Sequence, residues 1–253
     1  MKPIDYTGKT AVITGAGSGM GLCASQELAK LGANVVMCDV NVEAVEAAAA
    51  EINGGNAAGR AYPCVSDVRK FADAEKAAAL ALDKTGRIDL LVTFAGGYEP
   101  RMCGTCGIPF YEQPIEVLDW GIDVNLKGPI YFARACMPAM VKAKSGVICC
   151  IGSVTGFEGD GSGAMYGTAK SGLFNFVKGL AQAGAPHGVR AFCVTPGPVM
   201  TRPGMANMKT LQGRQSQPIE LVDFVLYLAS ENGASITGSN HVMDCGRLSM
   251  QPQ

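Results

Sequence analysis

The sequence predicts an α/β protein with a doubly wound parallel sheet in a single domain. Short runs of apolar and β-branched residues alternate along the chain with longer stretches of helical periodicity. The short runs are apolar throughout, which is typical of strands that helices cover on both faces. No linker rich in Pro, Ser or charged residues divides the chain. We therefore expect residues 1–253 to form one domain.

The predicted elements follow the β-α-β order from the first strand onward. In the first half the pattern predicts strands at Thr10–Thr14, Asn34–Asp39, Arg60–Pro63 and Leu90–Phe94, with helices at Gly19–Leu31, Val42–Ile52 and Lys70–Thr85. In the second half it predicts helices at Ile115–Lys144, Ala164–Ala185 and Pro218–Ala229, with strands at Gly146–Ile151, Arg190–Thr195 and Asn240–Met243. The loops after the strands should converge at one edge of the sheet, where such folds bind ligands.

Charge and composition exclude several classes of partner. Lys and Arg number 21 against 22 Asp and Glu, and no basic stretch is present to neutralise a phosphate backbone, so nucleic acid is not an expected partner. No stretch approaches the ~20 apolar residues of a spanning helix, and the polar N-terminal segment does not resemble a signal peptide. We expect a cytoplasmic protein without membrane contact.

The ten cysteines indicate a reducing compartment rather than a disulfide framework, because several lie inside apolar runs. Cys103 and Cys106 form a C-x-x-C pair. A zinc site would need a second pair or two nearby histidines, whereas His187 and His241 lie far along the chain. We predict no metal site, and the role of the pair stays open.

A glycine-rich segment, Thr14–Gly21, follows the first strand and opens the first helix. Glycines permit a tight turn, and the helix N-terminus presents unpaired N–H groups to a pyrophosphate. The residues expected to contact a dinucleotide here are Gly15, Ser18, Gly19, Met20 and Gly21. The segment alone leaves two alternatives, a tight strand-to-helix connection and the loop of a methyltransferase.

Asp39 ends the second predicted strand, about twenty residues beyond the glycines, where a carboxylate can accept both ribose hydroxyls of an adenosine. Its charge would repel a 2′-phosphate. Ser18 stands where a phosphate-binding Arg or Lys would otherwise lie. The pattern therefore favours NAD over NADP, and the alternative role for Asp39 is the N-cap of the next helix.

Tyr166 and Lys170 are four positions apart in a predicted helix, so their side chains should share one face. A phenol has an ordinary pKa near ~10, and a neighbouring ammonium favours the phenolate. The pair is suited to reversible proton transfer. An isolated Y-x-x-x-K would more often be an exposed pair on an ordinary helix.

The pair is one part of a longer pattern. The chain resembles the short-chain dehydrogenase/reductase family, whose pattern is T-G-x-x-x-G-x-G, an Asn in a central helix, then Ser, then Y-x-x-x-K. Thr14–Gly21 fits the first element, Asn125 the second and Ser153 the third, thirteen residues before Tyr166. The resemblance spans essentially the whole chain.

The resemblance implies a Rossmann fold, a nicotinamide cofactor and a set of roles. Tyr166 would be the acid/base, Ser153 would bind the carbonyl or alcohol oxygen, and Lys170 would hold the nicotinamide ribose and lower the pKa of the phenol. Asn125 would support a water-mediated proton relay, and Thr201 would reach the nicotinamide amide. Further cofactor contacts are implied at Asp67, Val68, Ala95, Gly96, Pro196 and Val199. Family members are commonly homo-oligomers, so we expect a tetramer or dimer.

The sequence departs from the family pattern at three places. The usual Asn-Asn-Ala-Gly reads Thr93-Phe94-Ala95-Gly96, which removes amides that brace the sheet. Phe192 replaces a commonly seen Asn. Only sixteen residues separate Thr201 from Pro218, so the substrate loop around 198–217 is short.

The expected substrate walls are Gly97–Tyr111, Val154–Met165 and Pro198–Gln217. Candidate lining residues are Met102, Met165, Met200, Met205, Met208, Tyr98, Phe110 and Phe157, although any one of them could be packing instead. Together they favour a bulky apolar secondary alcohol or ketone such as a hydroxysteroid. The alternatives are a 3-oxoacyl-thioester reductase and a non-catalytic dinucleotide-binding protein.

Overall fold

The computed structural model describes residues 2–250, which form one seven-stranded parallel sheet with the order β3-β2-β1-β4-β5-β6-β7. The strands are β1 (Thr10–Thr14), β2 (Asn34–Asp39), β3 (Ala61–Val65), β4 (Leu90–Thr93), β5 (Gly146–Ile151), β6 (Val189–Pro196) and β7 (Asn240–Met243). The fold class predicted from the sequence is confirmed.

Helices cover both faces of the sheet. They are α1 (Gly19–Lys30), α2 (Val42–Gly54), α3 (Phe71–Thr85), α4 (Glu99–Met102), α5 (Ile115–Ile122), α6 (Gly128–Ala143), α7 (Thr155–Glu158), α8 (Ala164–Gly184) and α9 (Pro218–Ala229). A π-helical segment, Asp123–Lys127, joins α5 to α6, and a 3-10 helix spans Pro203–Asn207.

Alternation along the strands divides the core into two layers. Neighbouring strand residues point to opposite faces, so Ile13 packs with Leu28 on the side of α1, α2 and α9. Val12 packs with Phe132 on the side of α3, α6 and α8. The apolar character of the strands, from which the fold was predicted, thus reflects burial on both faces.

The strand order places a crevice above β1 and β4. The chain leaves β1 toward β2 on one side of the sheet, and after β3 it returns to β4 on the other side. Loops at the carboxyl ends of these two strands therefore diverge, and ligands bind at such a switch point in open α/β sheets.

The predicted bounds agree with the structure for β1, β2, β5, β7 and α9 and need correction elsewhere. Strand β3 begins at Ala61, one residue later than predicted, and ends at Val65, two residues later than predicted. Strand β4 ends at Thr93 instead of Phe94, and two residues further on the amide of Ala95 donates to the hydroxyl of Thr14. Five further elements differ from the prediction by one or two residues at an end: α1, α2, α3, α8 and β6.

The helix predicted over Ile115–Lys144 is interrupted. Gly128 donates its amide to the carbonyl of Asp123, five residues back, which produces the π turn. Pro129 has no N–H, so the carbonyl of Asn125 cannot accept the usual bond from the residue four positions later. Lys144 adopts a left-handed φ of 53° and ends α6.

Candidate active site

The glycine-rich turn between β1 and α1 leaves no room for a side chain at Gly15 or Gly21. Gly15 has a φ of +68°, and a Cβ atom on it would lie 2.8 Å from the amide nitrogen of Ala95. A Cβ on Gly21 would overlap the carbonyl oxygen of Gly15. Ser18, at the N-cap of α1, makes no side-chain capping bond to the first N–H groups of the helix. The turn therefore fits the pyrophosphate of a dinucleotide.

Asp39 lies at the carboxyl end of β2, next to this turn. Its carboxylate accepts hydrogen bonds from the amides of Gly17 at 2.9 Å and Asn41 at 3.0 Å. Asn41, and not Asp39, caps α2, because its side chain accepts from the amide of Ala44 at 3.0 Å. The alternative role of Asp39 as an N-cap is therefore wrong.

Asp67 and Val68 follow β3 and line the same cavity as the glycine-rich turn. The Asp67 carboxylate accepts from the Arg69 guanidinium at 2.9 and 2.8 Å. Those hydrogen bonds lower the pKa of Asp67. Val68 packs closely on α6, since a Cβ on Gly128 would lie 3.0 Å from its side chain. Arg69, the guanidinium at this end, is thus already paired.

Lys170 lies beneath Tyr166 on α8. Its side chain is buried, and its ammonium donates to the carbonyl of Ile151 at 2.8 Å. The ammonium lies 5.6 Å from the centre of the Tyr166 ring. Burial lowers the pKa of Lys170 to about 8. One turn of helix therefore brings a phenol and a buried amine together, as the four-residue spacing predicted.

Ser153 follows β5 and faces Tyr166 across the cavity. Its hydroxyl is buried and bonds to Thr155, at 3.2 Å from both the hydroxyl and the amide of that residue. Burial raises the pKa of Tyr166, while the Ser153 hydroxyl and the charges of Arg202 and Arg101 act in the opposite direction. These neighbours favour the charged phenolate.

Asn125 is fully buried in the π-helical segment and fastens the loop after β4. Its amide nitrogen donates to the carbonyls of Gly97 and Gly121 at 2.9 Å, and its oxygen accepts from the Gly97 amide at 2.9 Å. A Cβ on Gly96 would lie 2.7 Å from the Asn125 oxygen and 3.3 Å from the Lys170 ammonium. Gly96 therefore keeps space for two of the predicted catalytic side chains.

A residue that the sequence did not indicate, Glu99, holds the start of α8. It is 0% exposed, and its carboxylate accepts from the amides of Met165 at 3.0 Å and Tyr166 at 3.2 Å. Gly163, the N-cap of α8, supplies no side chain for this purpose. Burial raises the pKa of Glu99, which these backbone hydrogen bonds oppose. A carboxylate from α4 thus caps α8 at Tyr166.

One cavity of about 740 Å³ joins the glycine turn to Tyr166. The predicted cofactor and catalytic residues around it are Gly15, Ser18, Gly19, Met20, Gly21, Asp39, Asp67, Val68, Ala95, Gly96, Ser153, Tyr166, Lys170, Pro196, Val199 and Thr201. Asn125 lies behind this wall and contacts Gly97, which lines it.

The expected substrate walls are placed only in part. Tyr98, Met102, Met205 and Met208 line the cavity. The four other candidates, Met165, Met200, Phe110 and Phe157, are not among its lining residues, and Phe157 stacks on Phe174 with ring centres 4.6 Å apart. Trp120 and Val124 line the cavity without having been predicted. They lie in the interrupted helix. The interruption has no periodic signal in the sequence, so the sequence did not indicate that these two side chains reach the site.

The substrate loop is fastened at its base. The amide of Met200 donates to the Ser216 carbonyl at 2.9 Å, and the amide of Ser216 donates to the Pro198 carbonyl at 3.0 Å. Thr201 donates its amide to Val199 at 2.7 Å, close to the glycine turn. Beyond this base the loop forms the 3-10 helix Pro203–Asn207. A short loop can therefore cover the site without a long helical lid.

Thr93, one of the departures from the family pattern, places a polar side-chain atom in the interior. The Thr93 hydroxyl is buried and has no hydrogen-bond partner among residues 2–250.

Cys103 and Cys106 are exposed free thiols in the loop after α4. Within residues 2–250, no cluster of three His, Cys, Asp or Glu side chains could hold a metal ion, and no helix has the length and apolar character needed to cross a bilayer.

The model of the short chain dehydrogenase family matches residues 9–212. The chain is 33% identical to the oxidoreductase UcpA of Salmonella typhimurium, over 95% of this chain and 94% of UcpA. It is 32% identical to the trans-4-hydroxycyclohexanecarboxylate dehydrogenase of Sinomonas cyclohexanicum, over 94% and 92% of the two chains. A solved 7 alpha-hydroxysteroid dehydrogenase, complexed with NADH and 7-oxo glycochenodeoxycholic acid, matches with a TM-score of 0.84 at 25% identity over 97% and 98%.

The chain therefore belongs to the short chain dehydrogenase family. It is an oxidoreductase, and proteins of this family bind a nicotinamide dinucleotide.

Proposed function

We propose that the protein transfers a hydride between NAD(H) and a secondary alcohol or ketone, with Tyr166 exchanging the proton. One observation carries the proposal: Tyr166, Ser153 and Lys170 line the same cavity as the uncapped, glycine-lined start of α1. A bare glycine turn alone would fit several ligands. Only its combination with a phenol, a hydroxyl and an amine within one cavity fits carbonyl reduction and its reverse.

The dinucleotide would supply or accept the hydride, and the chain's own residues supply the remaining chemistry. The Ser153 hydroxyl donates to the substrate oxygen and orients it. The Tyr166 phenol gives a proton to that oxygen during ketone reduction and removes it during alcohol oxidation. The Lys170 ammonium lies near enough to Tyr166 to favour phenolate, and it would hold the ribose hydroxyls of the dinucleotide.

Asn125 contributes by position. Its side chain is wholly engaged with Gly97 and Gly121, so the group it offers toward a water chain is its main-chain carbonyl. Pro129 cannot donate to that carbonyl. A water between this carbonyl and Lys170 would complete a relay that returns protons to the phenol.

The charge around Asp39 supports NAD over NADP. The carboxylate is held beside the glycine turn by Gly17 and Asn41, where it can accept ribose hydroxyls and would repel a 2′-phosphate. Arg69, the nearby cation, is engaged by Asp67. No unpaired cation at this end of the described cavity wall would offset the repulsion.

The substrate we propose is a bulky, largely apolar ring alcohol or ketone such as a hydroxysteroid. Tyr98, Met102, Trp120, Met205 and Met208 provide flat and polarizable surface beside Tyr166. The similar solved structure with a bound 7-oxo steroid acid, and the similar dehydrogenase that is named for a cyclohexane ring alcohol, support this class.

The test is a screen that follows NADH formation and consumption. Steroid alcohols, small ring alcohols, acyclic diols and 3-oxoacyl thioesters are compared with NAD(H) and with NADP(H). We expect turnover of ring substrates with NAD(H). A preference for thioesters with NADPH would instead establish the reductase alternative, and binding of NADH without turnover of any class would leave a non-catalytic binding protein.

A further inference from the structure

Two arginines enter the candidate active site from opposite loops. Arg101 lies in α4, after β4, and Arg202 lies at the start of the substrate loop, and both line the cavity with Tyr166. Neither side chain forms a salt bridge or a hydrogen bond with another group of residues 2–250. Of the other arginines, Arg60 and Arg134 share this lack, but they do not line the cavity. Five further arginines each bind carboxylates or carbonyls: Arg69, Arg87, Arg190, Arg214 and Arg247.

The two guanidinium groups are close enough to repel each other. Partial burial lowers the pKa of Arg202, and the neighbouring charge of Arg101 lowers it further. Both charges also act on Tyr166, so both lie near the reacting group. Gathering two like charges in a partly enclosed site is unfavourable unless an anion joins them.

The backbone around both arginines is fixed. Glu99, in the same short helix as Arg101, is buried and bound to the start of α8. Thr201, next to Arg202, donates its amide to Val199 at the fastened base of the loop. The two charges are therefore held at the cavity by the fold, and only their side-chain ends remain adjustable.

The carboxylates at this end of the cavity are already engaged. Glu99 accepts from the amides of Met165 and Tyr166. Asp160, which lines the cavity, accepts from the Tyr98 hydroxyl at 2.9 Å and from the amides of Ser162 at 2.8 Å and Gly163 at 2.6 Å. Neither carboxylate binds Arg101 or Arg202, which leaves both guanidinium groups available to an anionic ligand.

We propose that Arg101 and Arg202 together bind a carboxylate on the substrate, distinct from the carbonyl that Tyr166 serves. The guanidinium fork matches the two oxygens of a carboxylate. The substrate is thus a ring ketone or alcohol with an apolar body and an anionic tail. This inference rests on the proposed function. A phosphate of the cofactor has related chemistry, and the experiment must separate it from a substrate carboxylate.

The test compares acids with their primary amides, which are uncharged and nearly the same shape. Two pairs cover the range of size: 4-acetylbenzoate with 4-acetylbenzamide, and a 7-oxo steroid carboxylic acid with its amide. The ratio of kcat/KM for acid to amide is measured with NADH for the native protein and for Arg101→Gln, Arg202→Gln and the double variant. Arg60→Gln, the same change at an exposed site outside the cavity, is the control.

The ratio is the informative quantity because a change in the pKa of Tyr166 alters the rate for both members of a pair equally. We expect the native protein to prefer the acid, each single variant to lower the ratio about tenfold, and the double variant to lower it further, as for hydrogen bonds to charged groups. Arg60→Gln should leave the ratio unchanged.

Three results would overturn the inference. Equal turnover of acids and amides by the native protein, with no response to the variants, would reject it while leaving the proposed function intact. Variants that raise the Kd of NADH without altering the ratio would assign the arginines to the cofactor phosphates. Absence of turnover for every ketone, charged or neutral, would reject the proposed function and this inference together.

Discussion

The two ends of the cavity are built in different ways. At the cofactor end, one continuous segment, Thr10–Asp39, supplies a strand, a glycine turn, a helix N-terminus and a carboxylate. At the substrate end, the walls come from three separated loops and an interrupted helix. There the fastening contacts join distant positions, as between Glu99 and Met165, which are 66 residues apart.

This difference explains which parts of the site local sequence can specify. A helix N-terminus next to a glycine turn is an arrangement of consecutive residues, so its chemistry is visible in the sequence. A wall made of loops depends on contacts between residues far apart in the chain, and these contacts cannot be inferred from residues adjacent in sequence. Small substitutions should therefore be most damaging at the glycines of the cofactor end and at the fastening residues of the substrate end.

The largest expected effect of breaking the cofactor end comes from Gly21→Ala. The added methyl overlaps the Gly15 carbonyl oxygen, so the start of α1 must move away from β1. Overpacking of this kind costs about 2–3 kcal/mol, and we expect NADH to bind about 100-fold more weakly. Fluorescence titration with NADH measures the change, and thermal unfolding shows how much of the protein remains folded.

Gly179→Ala is the matched control, because a Cβ on Gly179 in α8 meets nothing within 4 Å. That substitution should leave NADH binding intact and stabilise the helix by about 0.5–1 kcal/mol. Equal NADH affinity in both variants would show that the packing of Gly21 on Gly15 does not shape the binding site.

A smaller effect is expected from the charge at the same end. Asp39→Ala with Ser18→Arg removes the carboxylate that repels a 2′-phosphate and adds a guanidinium that can bind it. We expect the ratio of kcat/KM for NADPH to NADH to rise about 30-fold, as for a charged hydrogen bond gained and a repulsion lost. A native protein that already prefers NADPH would contradict this account of Asp39.

The smallest expected effect is on kcat, from a substitution of Glu99 at the substrate end. Glu99→Gln keeps one acceptor for the amides of Met165 and Tyr166 but loses the charge and the second acceptor. We expect kcat to fall about threefold to tenfold, and Glu99→Ala to fall further, in line with loss of a helix cap. The partial rescue by Gln separates capping from simple loss of packing.

The pH profile gives the same substitution a second readout. The negative charge of Glu99 is among the influences that raise the pKa of Tyr166. Alcohol oxidation needs the phenolate, so removing that charge should move the rising limb of kcat/KM to lower pH. A lower plateau with an unshifted limb would mean that Glu99 acts only through packing.

The sequence predicted the sheet, most of its helices and the cofactor end because these depend on periodicity and on consecutive residues. It did not predict α4 or α7, since four-residue helices in glycine-rich loops have no periodic signal. Arg101 and Arg202 each looked isolated in the sequence. Their convergence on one cavity depends on the strand order, which brings the loops after β4 and β6 over the same crevice.

The central claim is that proton transfer and dinucleotide binding reside in separate residues, and Tyr166→Phe tests it most directly. The substitution removes only the phenol oxygen, while the glycine turn and Asp39 are untouched. With a ring alcohol that the native protein oxidises, we predict a loss of about 10²–10⁴ in kcat, as for positioned acid/base catalysis, with the Kd of NADH nearly unchanged. Near-native turnover by the variant would contradict the account, and the family fold would then be present without its usual chemistry.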